Sequence, residues 1–316
     1  MAVNPASQSG SPQLLTPTGH FILGGLSGSI GRLLVNPFSV VKITSQVGAP
    51  GGRMGTYKGV ECICKSYGMP GFTRGWLSAM LRSFGYWSVN YTVFHQLQSA
   101  YIVKQYYYEW PMFDTLCMMA VAGGISGATA TLVTHPLDVV KVRQVIQSPN
   151  DPHHRNTLLA LIRLVEHEGL YRGAYRGFAL SIFGSAFYSG ELFARLEFIS
   201  NVPWVKHQRP RVPLEGFIYL CYAFGLTSAM AYPIDVVRRK FMAQSFVLPK
   251  EGQVDVEFRS IIQCVKQIYK INGIFGFFHG MTANLCKLVP QTAIFGLLYL
   301  RYARPNEQVN IVERAW

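Results

Sequence analysis

Asn36-Pro37-Phe38-Ser39-Val40-Val41-Lys42, His135-Pro136-Leu137-Asp138-Val139-Val140-Lys141 and Tyr232-Pro233-Ile234-Asp235-Val236-Val237-Arg238 are three spellings of one heptapeptide. Their prolines stand 99 and 97 residues apart. A glycine-rich echo trails each of them: Gly68 to Arg74-Gly75, Gly169 to Arg176-Gly177, and Gly273 to His279-Gly280. The chain is one unit of about a hundred residues written three times.

Each unit holds two long apolar stretches. Ser83 to Val103, Leu116 to Val133 and Phe217 to Ile234 contain no formal charge, and they reach the ~20 residues that cross a bilayer. The other three are interrupted by Arg32, by Lys287, and by Glu191 with Arg195. Charges at such depth face a bundle interior or a watery cavity. Six spanning helices are expected, starting near residues 19, 76, 112, 178, 214 and 281, with both chain ends on one side. The repeats run 19–110, 111–212 and 213–303, between polar tails 1–18 and 304–316. Composition agrees. Only 14% of the 316 residues are charged and 49% are hydrophobic, where a soluble domain carries about 25% charge. Length alone suggests about two domains, but a single all-α membrane bundle fits better. A soluble enzyme, a disordered chain and a fibrous repeat are all disfavoured.

Shorter amphipathic stretches, such as Leu158 to Val165 and Phe258 to Tyr269, read as helices lying at the membrane surface. Of the 29 Lys and Arg residues, eighteen fall in the within-unit loops with their flanking gate residues and seven on the opposite face with the termini. The within-unit loops therefore face the more negative compartment. The net charge of +13 suits nucleic acid, anionic lipid or an anionic cargo. The longest basic run, Arg238-Arg239-Lys240, is too short for a nucleic-acid patch. The six cysteines form no Cys-x-x-Cys pair and read as free thiols, and no metal, cofactor or catalytic set is recognisable. Residues 1–18 resemble neither a signal nor a transit peptide, so targeting information is expected inside the chain. His135 reads as structural, His153-His154 as part of a polar loop, and the Asn90-Tyr91-Thr92 sequon as unused because it lies within a helix. Gly24-x-x-x-Gly28 and Gly123-x-x-x-Gly127 read as close helix contacts.

Proline inside a spanning helix removes a backbone hydrogen bond and kinks it. Pro37, Pro136 and Pro233 would bring the following acids and bases together at one end of a three-fold bundle. An acid and a base three residues apart could also pair within one helix; repetition favours a ring between helices, which forms an openable gate.

The triplicate Pro-x-Asp/Glu-x-x-Lys/Arg motif with its Arg-Gly echo resembles the mitochondrial carrier family over roughly residues 19 to 303. The resemblance implies a matrix gate in which the acid of one repeat pairs with the base of the next: Asp138 with Arg238, and Asp235 with Lys42. Ser39 stands where the acid facing Lys141 should be, and Gln46 matches the brace beneath the gate. It also implies an outer gate near Phe94-His95, Leu196-Glu197 and Tyr299-Leu300, where only Glu197 keeps a charge. That gate would close by packing, which leaves strict exchange open.

Seven residues after the echo glycines, the resemblance places cargo contacts at Arg82, at Gly184 with Ser185, and at Lys287. Helical spacing puts Gly184, Tyr188, Glu191 and Arg195 on one stripe, Arg82 with Tyr86 on another, and Asn284, Lys287 and Gln291 on a third. Arg32 matches a basic cavity residue of the adenine-nucleotide carriers. Arg32, Arg82, Arg195 and Lys287 against Glu191 give an excess of three positive charges, a setting for a polyanion. Glu191 and Arg195 could instead be a simple i,i+4 pair. Tyr86 and Tyr188 could stack on a flat ring beside Gly184, or merely pack. The Arg, Gly, Lys trio resembles the branch that moves adenine nucleotides and coenzyme A, from which Ser185 departs.

The expected function is an inner-membrane carrier of coenzyme A, its precursor or an adenine nucleotide, working by alternating access. It would be monomeric, surrounded by cardiolipin, with both termini toward the intermembrane space. A carrier of amino-acid or carnitine-type zwitterions is one alternative. A carrier-derived receptor or scaffold that no longer transports is the other.

Overall fold

A computed structural model describes residues 17–47, 55–105, 112–146, 156–201, 213–244 and 260–303, and these contain no strand. The polar tails, apart from residues 17, 18 and their immediate helix, and the His153-His154 loop lie outside the described residues. Six long helices form where the sequence places them: α1 (Pro17–Val47), α3 (Trp76–Gln105), α4 (Met112–Ile146), α6 (Phe178–Asn201), α7 (Pro213–Ala243) and α9 (Met281–Ala303). The shortest, α9, has 23 residues, which at 1.5 Å per residue spans the ~30 Å hydrocarbon layer. Segments Met112–Ile146 and Phe217–Ala243 are apolar enough by composition alone to cross a membrane. The other long helices owe their lower hydropathy to polar residues turned inward, Arg32, Lys42, Gln46 and Asn90 among them, all buried.

Three short helices, α2 (Thr56–Tyr67), α5 (Thr157–Glu168) and α8 (Ile261–Asn272), connect the two long helices of each unit. They are the surface helices that amphipathic spacing predicts. Gly68, Gly169 and Gly273 end them at positive φ, and Gly75, Gly177 and Gly280 open the following long helix at positive φ. That backbone region favours a residue without Cβ, which explains the glycine echo. Burial on α8 pushes the Cys264 thiol up to about 11, and all six cysteines are free.

The long helices close into a ring in chain order, α1 against α3, α3 against α4, α4 against α6, α6 against α7, α7 against α9, and α9 back against α1. The helices that carry Pro37, Pro136 and Pro233, α1, α4 and α7, also meet one another. Solvation is inverted relative to a soluble protein. Leu34, Val121, Val133 and Phe183 are exposed on the outside, while serines, asparagines and basic residues are buried. This is the arrangement lipid demands, since polar groups find partners only within the bundle. Gly123 and Gly127 let α4 press against α6: a Cβ at either would stand 2.7 Å from a carbonyl oxygen of Ser189 or Ser185. Asn90 is fully buried and donates to the Ser189 hydroxyl, so the sequon is inaccessible. His135 is structural, with its Nε2 at 3.0 Å from the Arg176 carbonyl.

Gly280 has φ +78° and a would-be Cβ 3.2 Å from the Lys42 carbonyl oxygen, whereas Gly273, at φ +64°, has open space around it. Gly273→Ala should cost about 1 kcal/mol of backbone strain. Gly280→Ala should cost more, because α9 must also move off α1. Melting temperatures of the two variants in detergent check the order.

Candidate functional site

Beyond Pro37, Pro136 and Pro233 the helices α1, α4 and α7 meet, and their charged residues come together. Asp235 is the hub. Its carboxylate accepts from Lys42 Nζ on α1 at 2.8 Å, from Arg238 at 2.7 Å and from Arg239 at 3.1 Å on its own helix. Gln46 Nε2 adds a fourth donor at 3.2 Å, in the bracing position that the sequence suggests. Lys42 also donates to Asn284 Oδ1 at 2.8 Å and lies over the Tyr232 ring. The inter-repeat pair Asp235–Lys42 and the within-helix pair Asp235–Arg238 thus coexist.

The expected Asp138–Arg238 pair is replaced. Asp138 binds Arg82 of α3 at 2.8 Å, while Arg238 turns to Asp235 one turn earlier on α7. The physical reason is a shortage of carboxylates. With Ser39 donating only to the Val35 carbonyl, two acids serve every base at this level, and each takes its nearest guanidinium. Lys141 is 1% exposed and has no hydrogen-bond or ion-pair partner among the described residues. The α4–α7 seam is held lower down instead. Arg143 forms a two-pronged pair with Glu168 and donates to the Gln244 carbonyl, and Arg176 donates to the Gln244 side chain. Lys240 closes the α7–α1 seam on the Val47 carbonyl.

Above this level lies a cavity of about 150 Å³. Arg32, Lys42, Arg82, Arg238, Arg239 and Lys287 line it, with Asp235 as the one lining carboxylate among the described residues. Counting Asp138 behind Arg82, six bases face two acids. Arg32 and Lys287 have no hydrogen-bond or ion-pair partner among the described residues. Arg239, unmarked by the helical spacing, joins them through the Arg238-Arg239-Lys240 run.

Several sequence-based cargo contacts have other duties. Arg82 is neutralised by Asp138. Glu191 and Arg195 form the i,i+4 pair and do not line the cavity, and Arg195 also reaches the Met230 sulfur. The expected excess of three charges therefore rests on different residues: Arg32, Lys287 and the surplus of bases around Asp235. Tyr86 is tied to Ser189 at 2.9 Å, so it packs. Ser185 lines the cavity, but its hydroxyl accepts from the Thr131 hydroxyl at 2.6 Å and donates to the Gly127 carbonyl of α4. Asn284 lies between Lys42 and Ser228. Gly184 lines the cavity, but a Cβ there would meet Ile234 at 3.0 Å; the space it frees is filled by α7, not left for a ring. Tyr188 lines the cavity with no hydrogen-bond partner among the described residues.

At the far end, Phe94 of α3 stacks on Phe193 of α6 with centroids 3.7 Å apart, and Tyr91 meets Phe193 edge-on. Aromatic packing stands where the outer ionic pairs are missing. The side chains of Tyr299 and Leu300 lie outside the described residues.

A family model described as "Mitochondrial carrier protein" matches residues 13–105, 114–204 and 212–304, one match per unit. The chain is 32% identical over 286 residues to zebrafish (Danio rerio) "Solute carrier family 25 member 43", covering 90% of this chain and 79% of that protein. It is 26% identical over 278 residues to mouse (Mus musculus) "ADP/ATP translocase 4", covering 84% and 83%. It is 24% identical over 291 residues to the "Mitochondrial thiamine pyrophosphate carrier" of Macaca fascicularis, covering 88% and 89%.

Removing one member of the Arg82–Asp138 pair leaves a buried charge unmatched, at about 3 kcal/mol or more. Arg82→Gln and Asp138→Asn should each lower the melting temperature, and the double variant should be more stable than the sum of the two losses requires. A double-mutant cycle by thermal unfolding in detergent measures that coupling.

Proposed function

The chain belongs to the mitochondrial carrier family, whose members transport small metabolites, and we propose that its cargo is an organic phosphate of the nucleotide or coenzyme A type. The observation that carries this reading is the cavity's six bases around two carboxylates, with Arg32 and Lys287 unpartnered among the described residues. Isolated cations in a low-dielectric cleft are costly, and a polyanion with several phosphate oxygens offsets that cost. Two relatives named for ADP/ATP and for thiamine pyrophosphate carry cargo of the same chemical kind: a heteroaromatic ring joined to a phosphate chain.

Transport proceeds by alternating access in the mitochondrial inner membrane. The Asp235–Lys42 latch and its Gln46 brace close one end, and cargo phosphates draw on Arg32, Lys287 and Arg239. Competition of these phosphates with Asp235 for its surplus bases loosens the latch, and opening toward the matrix follows. The aromatic stack of Phe94 and Phe193 is the seam that must part or tighten on the outer side. The within-unit loops, rich in Lys and Arg, face the matrix, and both termini face the intermembrane space. The chain works as a monomer among cardiolipin molecules.

A zwitterionic cargo fits less well. Its ammonium needs an available carboxylate, and Asp235 already has four donors while Asp138 is held by Arg82. The persistence of the Asp235–Lys42 latch also favours a cycling carrier over a scaffold.

Liposomes holding the purified chain should take up ADP or coenzyme A but not carnitine. Arg32→Ala and Lys287→Ala should each lower uptake at least tenfold, about 1.4 kcal/mol, while Glu61→Gln on exposed α2 leaves it unchanged. Uptake of ADP and coenzyme A at native rates in both cavity variants, or carnitine uptake exceeding both, refutes the reading.

A further inference from the structure

We infer that the ring of the cargo is seated in a second recess, between α3, α7 and α9, and that Gln291 reads its hydrogen-bonding edge. This rests on the organic-phosphate reading of the cavity. A recess of about 70 Å³ adjoins the cationic cavity and shares Trp87, Tyr188, Ser228, Asn284, Lys287 and Gln291 with it. The two halves differ in chemistry. The first holds six bases; the second is walled by Trp87 and Phe224 and carries a single base, Lys287, which stands on the border. A molecule with a flat apolar end and an anionic end matches this division, with its phosphates toward Asp235 and its ring toward α9.

Packing explains why the aromatic wall stands on this side. Gly28 of α1 has no side chain, and a Cβ there would lie 2.3 Å from Trp87 Cδ1. The indole therefore lies directly on the α1 backbone, 9% exposed, with its edge against Tyr86. Unit three has Phe224 where the other two units have the second glycine of their Gly-x-x-x-Gly pairs, and this phenyl ring forms the recess's other aromatic wall. The α6 side offers no equivalent seat, because Gly184 is backed by Ile234, Ser185 is tied to α4, and Tyr86 is tied to Ser189.

Within the recess most polar groups are already engaged. The Thr292 hydroxyl donates to the Leu288 carbonyl, and Asn284 joins Lys42 to Ser228. The Gln291 carboxamide has no hydrogen-bond partner among the described residues. It stands four residues from Lys287 on α9, so both project to the same side. A carboxamide presents one donor and one acceptor side by side, the pattern that pairs with the amino group and ring nitrogen of an aminopurine. Stacking against Trp87 supplies the remaining contact. The ligand class is an aminopurine nucleotide, and Trp87 and Gln291 are its specificity residues.

The full chain in detergent, titrated with ADP and with inorganic pyrophosphate and read by thermal shift, tests this. Native protein should bind ADP about tenfold more tightly than the ring-free pyrophosphate. Gln291→Leu and, separately, Trp87→Leu should abolish that tenfold advantage and leave the pyrophosphate response intact. Glu61→Gln on exposed α2 should change neither. The Gln291 carboxamide makes no hydrogen bond among the described residues, so its variant remains informative even if Trp87→Leu unfolds. An ADP advantage that survives Gln291→Leu, or that is lost in Glu61→Gln instead, overturns the seat while leaving the phosphate reading standing. A native protein that answers neither pyrophosphate nor ADP overturns both.

Discussion

Asp235 stands where three kinked helices meet and accepts from Lys42, Gln46, Arg238 and Arg239. The constraint behind this arrangement is the cost of an unmatched charge in a medium that cannot solvate it. Bases outnumber acids at this depth, so each carboxylate gathers several partners. Which base is left over then decides where a foreign anion can act. The leftover positions are Arg32 and Lys287 in the cavity and Lys141 beside it. The same shortage of carboxylates that makes the gate region irregular leaves the cavity with more bases than acids.

The three seams between the kinked helices are consequently unequal. The α7–α1 seam has the Lys42–Asp235 pair, the Gln46 brace and the Lys240 cap on Val47. The α4–α7 seam relies on Arg143 and Arg176 gripping Gln244 below the gate. At the α1–α4 seam Ser39 bonds within its own helix and Lys141 has no ion partner among the described residues. A bundle with three equal latches would open symmetrically. Here the seam between the first and second units is the one without an ion pair at this level among the described residues.

The fold was legible because its signals are local and repeated. Proline kinks, positive-φ glycines and charge-free stretches act on their own few residues, and three copies make each unmistakable. The expected helix starts near 19, 76, 112, 178, 214 and 281 lie within two residues of the observed ones. The meeting of Asp235 with Lys42 and Gln46 was implied by the family resemblance. Asp138 did not, because its partner Arg82 comes from an even helix rather than from the next repeat, and no periodicity in one strand of sequence ranks two competing guanidinium groups. The recess behind Trp87 was equally hidden: Gly28 and Trp87 are 59 residues apart, and only their packing shows that one exists to seat the other.

The amino-acid sequence by itself determined the triplicate unit, the six membrane helices, the kinks and the excess of basic residues, since each follows from composition or from contacts within a few turns. The tertiary structure alone decided which of those bases are spent on Asp138, Asp235 and Glu191 and which, among the described residues, have no partner. Pairing in a low-dielectric interior depends on distances across helices, and those distances are set by how small residues such as Gly28, Gly123 and Gly127 let neighbouring backbones approach.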